Sequence, residues 1–443
     1  MTAHAPPSTE QLMQIARDLC RQPSTTGQID ELRTAAEHIA RFARLLGMQT
    51  RIVAADTTPV IIAHRAGRRP QTLLLYHHYD APPTGPWRYW SHEPFDLAER
   101  DGYVFGRGVA GGKGALAAHL AALQTLLQRD SELPCGVTLV LDGGANLGSP
   151  GLAETLRSHT DVMHCDAVLA SLGDRDAHGT PICASGSKGW LRIRLTARGP
   201  AYPLPAGFAT SVANPLWRLT WALASLKGED EDVRMEGFYD PVEGPSRADN
   251  ATIGKVQIAT AARRQAWRID HFLFGIDGAA LSRTEITLPT CNLSSLIVEP
   301  QMDTPAIPAQ ATALLDLQLV PRQQPNAIFD LIRQHLADKG FADITLERMP
   351  GGYPPWITAT DNPFVTRVAT IGATVFERPL PVVPAGPYAV PLSLLAGDHP
   401  VPTVSIGFTP ATGAIFGPDE HIALSDLSRH SQFLIELLER LWT

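Results

Sequence analysis

The ten residues QTLLLYHHYD at 71–80 constrain the fold more than any other stretch. Their centre is continuously apolar, which marks a strand buried on both faces inside an α/β sheet. The polar residues begin where the strand should end. Sites in open sheets sit at such exits, because the strand fixes the position and the loop exposes the side chains. His78 and Asp80 are on this one. Around it the periodicity alternates. Residues 9–20 and 27–46 place Leu, Ile, Ala and Phe at helical spacing, with Gly47 as a stop. RIVAA and TPVIIAHR read as strands, GGKGALAAHLAALQTLLQR as a long helix entered through glycines, CGVTLVLDGG as a strand, PGLAETLRSH as a helix and DAVLAS as a strand. Helix and strand patterns that alternate in this way give an α/β fold.

A chain of 443 residues is too long for one ordinary domain and long enough for two. From WLRIRLTARG the character changes to a β run, the loop GPAYPLPAGFATS, the helix NPLWRLTWALASL, an acidic and aromatic stretch, and EITLPTCNLSSLIV. These predict a smaller α/β module at 186–306, inserted between two parts of a larger domain at 1–185 and 307–443. The strand LLDLQLVP and the helix NAIFDLIRQHLADKG fall in the second part of the larger domain on this reading. Insertion at surface loops is physically easy.

Lys and Arg number 37 against 45 Asp and Glu, a formal charge of -8, and the basic residues form no run. A nucleic-acid partner needs clustered positive charge and is disfavoured. The five cysteines are odd in number and widely spaced, which fits neither a zinc knuckle nor a disulfide framework. With no basic-then-apolar leader and no long apolar window, the expected setting is the cytoplasm, away from membranes. GRGVAGGKGA and DGGANLGSPG do not match a phosphate loop, since Lys113 is followed by Gly114 and Ala115 rather than Ser or Thr, which leaves phosphate binding a disfavoured alternative.

Six segments in order, LLLYHHYDAPP, PFDLAERDGYVFGRGVAGGKG, LDGGANLGSPGL, SVANP, LPTCNLSS and GAIFGPDE, resemble the M20 peptidases, the family of dizinc aminoacylases, deacetylases and carboxypeptidases. The resemblance runs from about residue 10 to 440 and implies the two-domain fold of that family. It also implies a zinc pair held by two His, terminal carboxylates and a bridging Asp, with a Glu as general base to the bridging water. Zinc needs such anionic and imidazole ligands to offset its charge, and it lowers the pKa of bound water.

On the positions that match, His78 stands at the first metal His and Asp80 at the Asp that orients it. The bridging Asp falls on Gly111, the Glu pair on Ala145 and Asn146, the next carboxylate on Leu172 and the last His on Phe416. The His that the other subunit's small domain contributes falls on Leu204, and the Arg of the return strand on Gln318. The resemblance therefore implies a degenerate member with no metal ligand set and no cofactor.

The candidate catalytic residues are His78, Asp80 and Lys113. His78 and Asp80 are either a local hydrogen bond or a metal-free acid-base dyad. Lys113 is either a solvated helix-start lysine or the positive charge of an anion site. His77 should point away from His78 by strand alternation and be a partly exposed strand-end residue. Asp142, Asn146, Lys188, Asp419 and Glu420 should ring the cleft, and Trp190, Trp217 and Trp221 should serve packing. The leading function is binding of an amino-acid- or peptide-like small molecule, or regulation of a partner, without dizinc hydrolysis. The alternatives are a metal-independent enzyme built on His78 and Asp80, and a hydrolase with a displaced zinc drawing on His77, His78, Asp80, Asp142, Asn146 and His421. The family implies a homodimer, or a heterodimer with an active relative, through the small domain's helix and edge strand.

Overall fold

The computed structural model describes residues 6–54, 58–301, 303–397 and 401–443. In chain order its main elements are α1 (Thr9–Arg21), α2 (Ile29–Leu45), β1 (Gln49–Ala54), β2 (Pro59–Arg65), β3 (Gly67–His78), α3 (Lys113–Asp130), β4 (Leu133–Asp142), α4 (Leu152–Ser158), β5 (Ala167–Ala170) and β6 (Cys183–Ala184). There follow β7 (Gly189–Arg198), α5 (Pro215–Leu226), α6 (Arg247–Ile253), α7 (Thr260–Trp267), α8 (Gly278–Thr287), β8 (Thr290–Glu299), β9 (Gln310–Leu319), α9 (Pro325–Asp338) and β10 (Thr345–Arg348). The chain closes with α10 (Pro363–Phe376), β11 (Val382–Val383), β12 (Thr403–Ile406) and α11 (Leu424–Arg440).

The chain forms two compact units, 1–187 with 245–287 and 357–443, and 188–244 with 288–356. The larger is a mixed α/β unit around an eight-stranded sheet of order β1-β2-β4-β3-β5-β12-β6-β11. Strands β3, β4, β5 and β12 run parallel, so their C-terminal ends share one edge. Within β3 every residue from Thr72 to His78 is buried, as the unbroken apolar run requires. Helix α3 is buried all round from Lys113 to Leu123 because alanine and leucine occupy every face, and it packs against α1, α11 and β3. No helix among the described residues is long and apolar enough to cross a membrane.

The smaller unit is an antiparallel sheet of order β8-β9-β7-β10, one face of which is covered by α5 and α9. Its limits differ from those expected at 186–306. Strand β9 pairs along its whole length with β7 on one side and β8 on the other, and Ile328, Ile332 and Leu336 of α9 complete the core over Leu191, Ile193 and Leu195. Both therefore belong to the small unit, not to the return of the large one. Conversely, residues 245–287 fold as α6 to α8 within the large unit, where Ile253, Val256 and Ile286 pack on Ala184, Val383 and Ala385. Buried Arg263 of α7 fixes it there by bonding Asp174 and Glu285.

On α5, Leu219 and Ala222 face the core as the spacing predicts, but Trp217 and Trp221 do not serve packing. They are 59% and 56% exposed and stack on each other at 6.0 Å.

Candidate functional site

The parallel strand ends bring together the residues singled out in the sequence. His78 ends β3, and its cross-strand partner Asp142 ends β4. The ring of His78 is gripped on both edges. Nδ1 lies 3.0 Å from Asp80 Oδ1 and 3.0 Å from the Asp80 carbonyl oxygen, and Nε2 lies 3.1 Å from the Gly111 carbonyl oxygen. All these partners are acceptors, so the surroundings favour a proton on each nitrogen and hence the imidazolium form. Burial pulls its pKa down, but the bond and charge of Asp80, with Asp142 behind, outweigh that and leave it raised.

Asp80 is saturated in turn. Its Oδ2 accepts from Thr26 Oγ1 at 3.1 Å, from Asn146 N at 3.0 Å and from Asn146 Nδ2 at 3.0 Å. Asn146 thus points its amide at Asp80 and adds no negative charge. Asp142 accepts from Tyr76 Oη at 3.1 Å and Gly144 N at 2.8 Å, and burial pushes its carboxyl up to about 6.

The loop from 107 to 111 is organised by Glu420. This buried carboxylate accepts from Arg107 Nη1 at 2.9 Å and from the backbone N–H of Gly108, Ala110 and Gly111, each at 2.8 Å. Arg107 also donates to the carbonyls of Ile415 and Gly417, which holds the loop that carries Phe416. Glu420 therefore builds the loop rather than facing a ligand. Asp419 accepts from Ser91 N and Oγ at 2.9 and 3.0 Å. In the small unit, Lys188 donates to the Leu288 carbonyl at 2.7 Å.

Of the three candidate catalytic residues, His78 and Asp80 meet and Lys113 does not join them. The lysine is neither solvated nor presented to a ligand. It is 1% exposed and donates to the Gln22 carbonyl at 2.6 Å, and burial lowers its pKa against the pull of nearby acidic groups. His77 does point away from His78, but it is buried rather than partly exposed, and its Nε2 lies 2.9 Å from His119 Nδ1. His119, Ser171 and His430, to which this bond leads, were not singled out in the sequence. The available signal was a histidine in the middle of the wholly apolar helix pattern LAAHLAAL.

A zinc pair does not fit these residues. Gly111 offers only a carbonyl, already taken by His78, and Ala145 and Leu172 offer no donor. Phe416 turns its ring outward, 71% exposed. The displaced set fails too, because His77 faces His119 and the His421 ring lies between Tyr103 and Phe105. Among the described residues, no group of three or more His, Cys, Asp or Glu is placed to hold a metal ion.

Comparison with known proteins agrees with the fold. Cys-Gly metallodipeptidase dug1 of Schizosaccharomyces pombe is 22% identical over 286 residues, 63% of this chain and 60% of that protein. Cysteinylglycine-S-conjugate dipeptidase of Corynebacterium striatum is 29% identical over 239 residues, 51% of this chain and 52% of that one. The chain thus spans about half to three fifths of the length of these curated relatives. Among solved structures, an M20 family metallo-carboxypeptidase from Sulfolobus solfataricus superposes with a TM-score of 0.88 at 24% identity, covering 97% of this chain and 99% of that one. Human carnosine dipeptidase 1 gives 0.85 at 19% identity, covering 98% and 97%. At these identities the likeness is one of fold. The model of peptidase family M20/M25/M40 matches residues 74–440, most of the chain. The chain belongs to that family.

Proposed function

We propose that this chain is a member of the family that has given up dizinc amide hydrolysis and retains the fold to bind an amino-acid- or peptide-like small molecule. One observation carries the loss: the His78 nitrogen that would face a metal is a donor spent on the Gly111 carbonyl. Metal ligation needs a bare ring nitrogen, so zinc would have to displace both that bond and a proton. The same bond weighs against metal-free acid-base chemistry at His78 and Asp80, which needs Nε2 free to reach a substrate. The ligand class follows the names of the relatives, which are dipeptidases.

Assembly is part of this reading. Trp217 and Trp221 on α5, with Leu293, Leu296 and Ile297 on edge strand β8, are exposed apolar groups suited to a second copy or an intact relative. Five buried cysteines, all free, support a cytoplasmic setting.

The test combines elemental mass spectrometry after incubation with excess zinc, hydrolysis assays with Cys-Gly and β-Ala-His, and calorimetric titration of both dipeptides. The expected result is no stoichiometric zinc, no hydrolysis, and measurable binding of a dipeptide. Two zinc ions per chain together with dipeptide hydrolysis would overturn the reading.

A further inference from the structure

Directly behind His78, a second set of histidines crosses the core of the large unit. His77 Nε2 lies 2.9 Å from His119 Nδ1, Ser171 Oγ lies 3.3 Å from His119 Nε2, and His430 Nε2 lies 2.9 Å from Ser171 Oγ. The four residues come from β3, α3, the end of β5 and α11, and none is more than 1% exposed. The His119 and His430 rings stack at 5.1 Å with 10° between their planes. Phe408 and Phe433 close around His430, and its Nδ1 is buried with no hydrogen-bond partner among the described residues.

We propose that this thread is an acid-sensitive joint, which ties α3 and α11 to the site strand β3 while its rings are neutral and releases them when His119 or His430 takes up a proton. The proposal does not depend on the functional reading above. Three neutral rings and one hydroxyl bring four N–H and O–H protons, and the thread uses three of them. A wholly buried N–H without a partner is costlier than a bare ring nitrogen, and of the two end nitrogens His430 Nδ1 is the one so buried, so it is the unprotonated end and His77 Nδ1 carries the fourth proton. That choice orients the whole thread. His430 Nε2–H donates to Ser171, the Ser171 hydroxyl donates to His119 Nε2, and His119 Nδ1–H donates to His77.

An added proton has no favourable place. On His119 Nε2 it opposes the Ser171 hydroxyl, and on His430 Nδ1 it makes a buried charge among phenylalanines. With a proton on each ring, the two stacked cations repel as well. The groups that face the thread give no relief. His77 is flanked by His78 and His119, and His430 by His77 and by Arg175, whose guanidinium is held by Asp426 and the Phe408 and Gly179 carbonyls. No carboxylate is among the groups that act on the three rings, and burial first, then the neighbouring basic groups, holds all three pKa values well below the ordinary histidine range. For His119 and His430, stability is fully present above the unfolded pKa of about 6.5 and is lost as pH falls below it.

The test is urea unfolding across pH of the full chain and of His430→Phe, which fills the aromatic pocket with a ring that cannot titrate. For the wild type the unfolding constant should rise as pH drops below about 6.5, by about tenfold per pH unit for each proton taken up. His430→Phe should lose one such tenfold. A merely structural role would lower stability equally at every pH, and parallel profiles would overturn the joint. A second measurement on the unaltered chain guards against a variant that does not fold. Deuterium exchange at histidine Cε1–H should show no inflection for His119 or His430 near pH 6.5 while α11 amides remain protected. An inflection there with α11 still protected would also overturn it.

Discussion

His77 and His78 are neighbours on one strand, both buried, and their pKa values shift in opposite directions. The ring of His78 meets only acceptors, which favour its protonated form. The ring of His77 meets another histidine in the core and stays neutral. Burial acts on both in the same direction, so burial does not decide between them. The partners that the strand's two faces offer decide it: a carboxylate and a carbonyl at the sheet's exit, imidazole in its interior.

The largest expected effect comes from removing the counter-charge on the exit side. Asp80→Ala leaves a buried imidazolium unpaired and frees Thr26 and Asn146, so denaturant unfolding should show a loss of about 3–5 kcal/mol. A cost near that of an ordinary surface substitution would mean His78 is not charged. Next is the loop that supplies the second acceptor. A methyl group on Gly112 would lie 2.6 Å from the His78 carbonyl oxygen and 2.9 Å from ring atoms Cε1 and Nε2, whereas on Gly111 it would lie no nearer than 3.5 Å to Glu420. Gly112→Ala should therefore cost about 1–3 kcal/mol, and Gly111→Ala should fold with nearly unchanged stability.

The pH profile separates the two faces. His78 has a raised folded pKa, so its stabilisation is complete below the unfolded value and lost as pH rises through the folded one. The rings behind it have lowered values and act in reverse, which gives a stability maximum between the two flanks. His78→Gln should flatten only the alkaline flank, as read from unfolding midpoints across pH. The smallest effect belongs to Lys113→Met. A buried lysine with one carbonyl partner repays little of its desolvation, so stability should change by about 1 kcal/mol or less. Unimpaired dipeptide binding in that variant would confirm that the lysine is not a ligand group.

Much of this was legible in the sequence where short-range periodicity fixes the outcome. Strands β3, β4 and β5 and helices α1 to α3 lie where the apolar spacing puts them, and alternation along β3 correctly sends His77 and His78 to opposite faces. Partners far along the chain were not legible. His119 is 42 residues from His77, and His430 is 259 from Ser171, so no local pattern joins them. Lys113 reads as solvated because helix starts are commonly exposed, and only tertiary packing puts the Gln22 carbonyl within its reach. The limit at 306 failed for the same reason, since a β run does not disclose which strands it will pair with.

That pairing also sets an order in time. Strand β7 lies in the middle of the small sheet, yet both its neighbours, β9 and β10, are made more than a hundred residues later, after α6 to α8 have been supplied to the other unit. At about 5–20 residues per second, β7 emerges on the order of 10 s before anything can pair with it. Its Leu191, Ile193 and Leu195 wait that long with no sheet partner, so the core of the small unit closes only after the large unit has received its inserted helices.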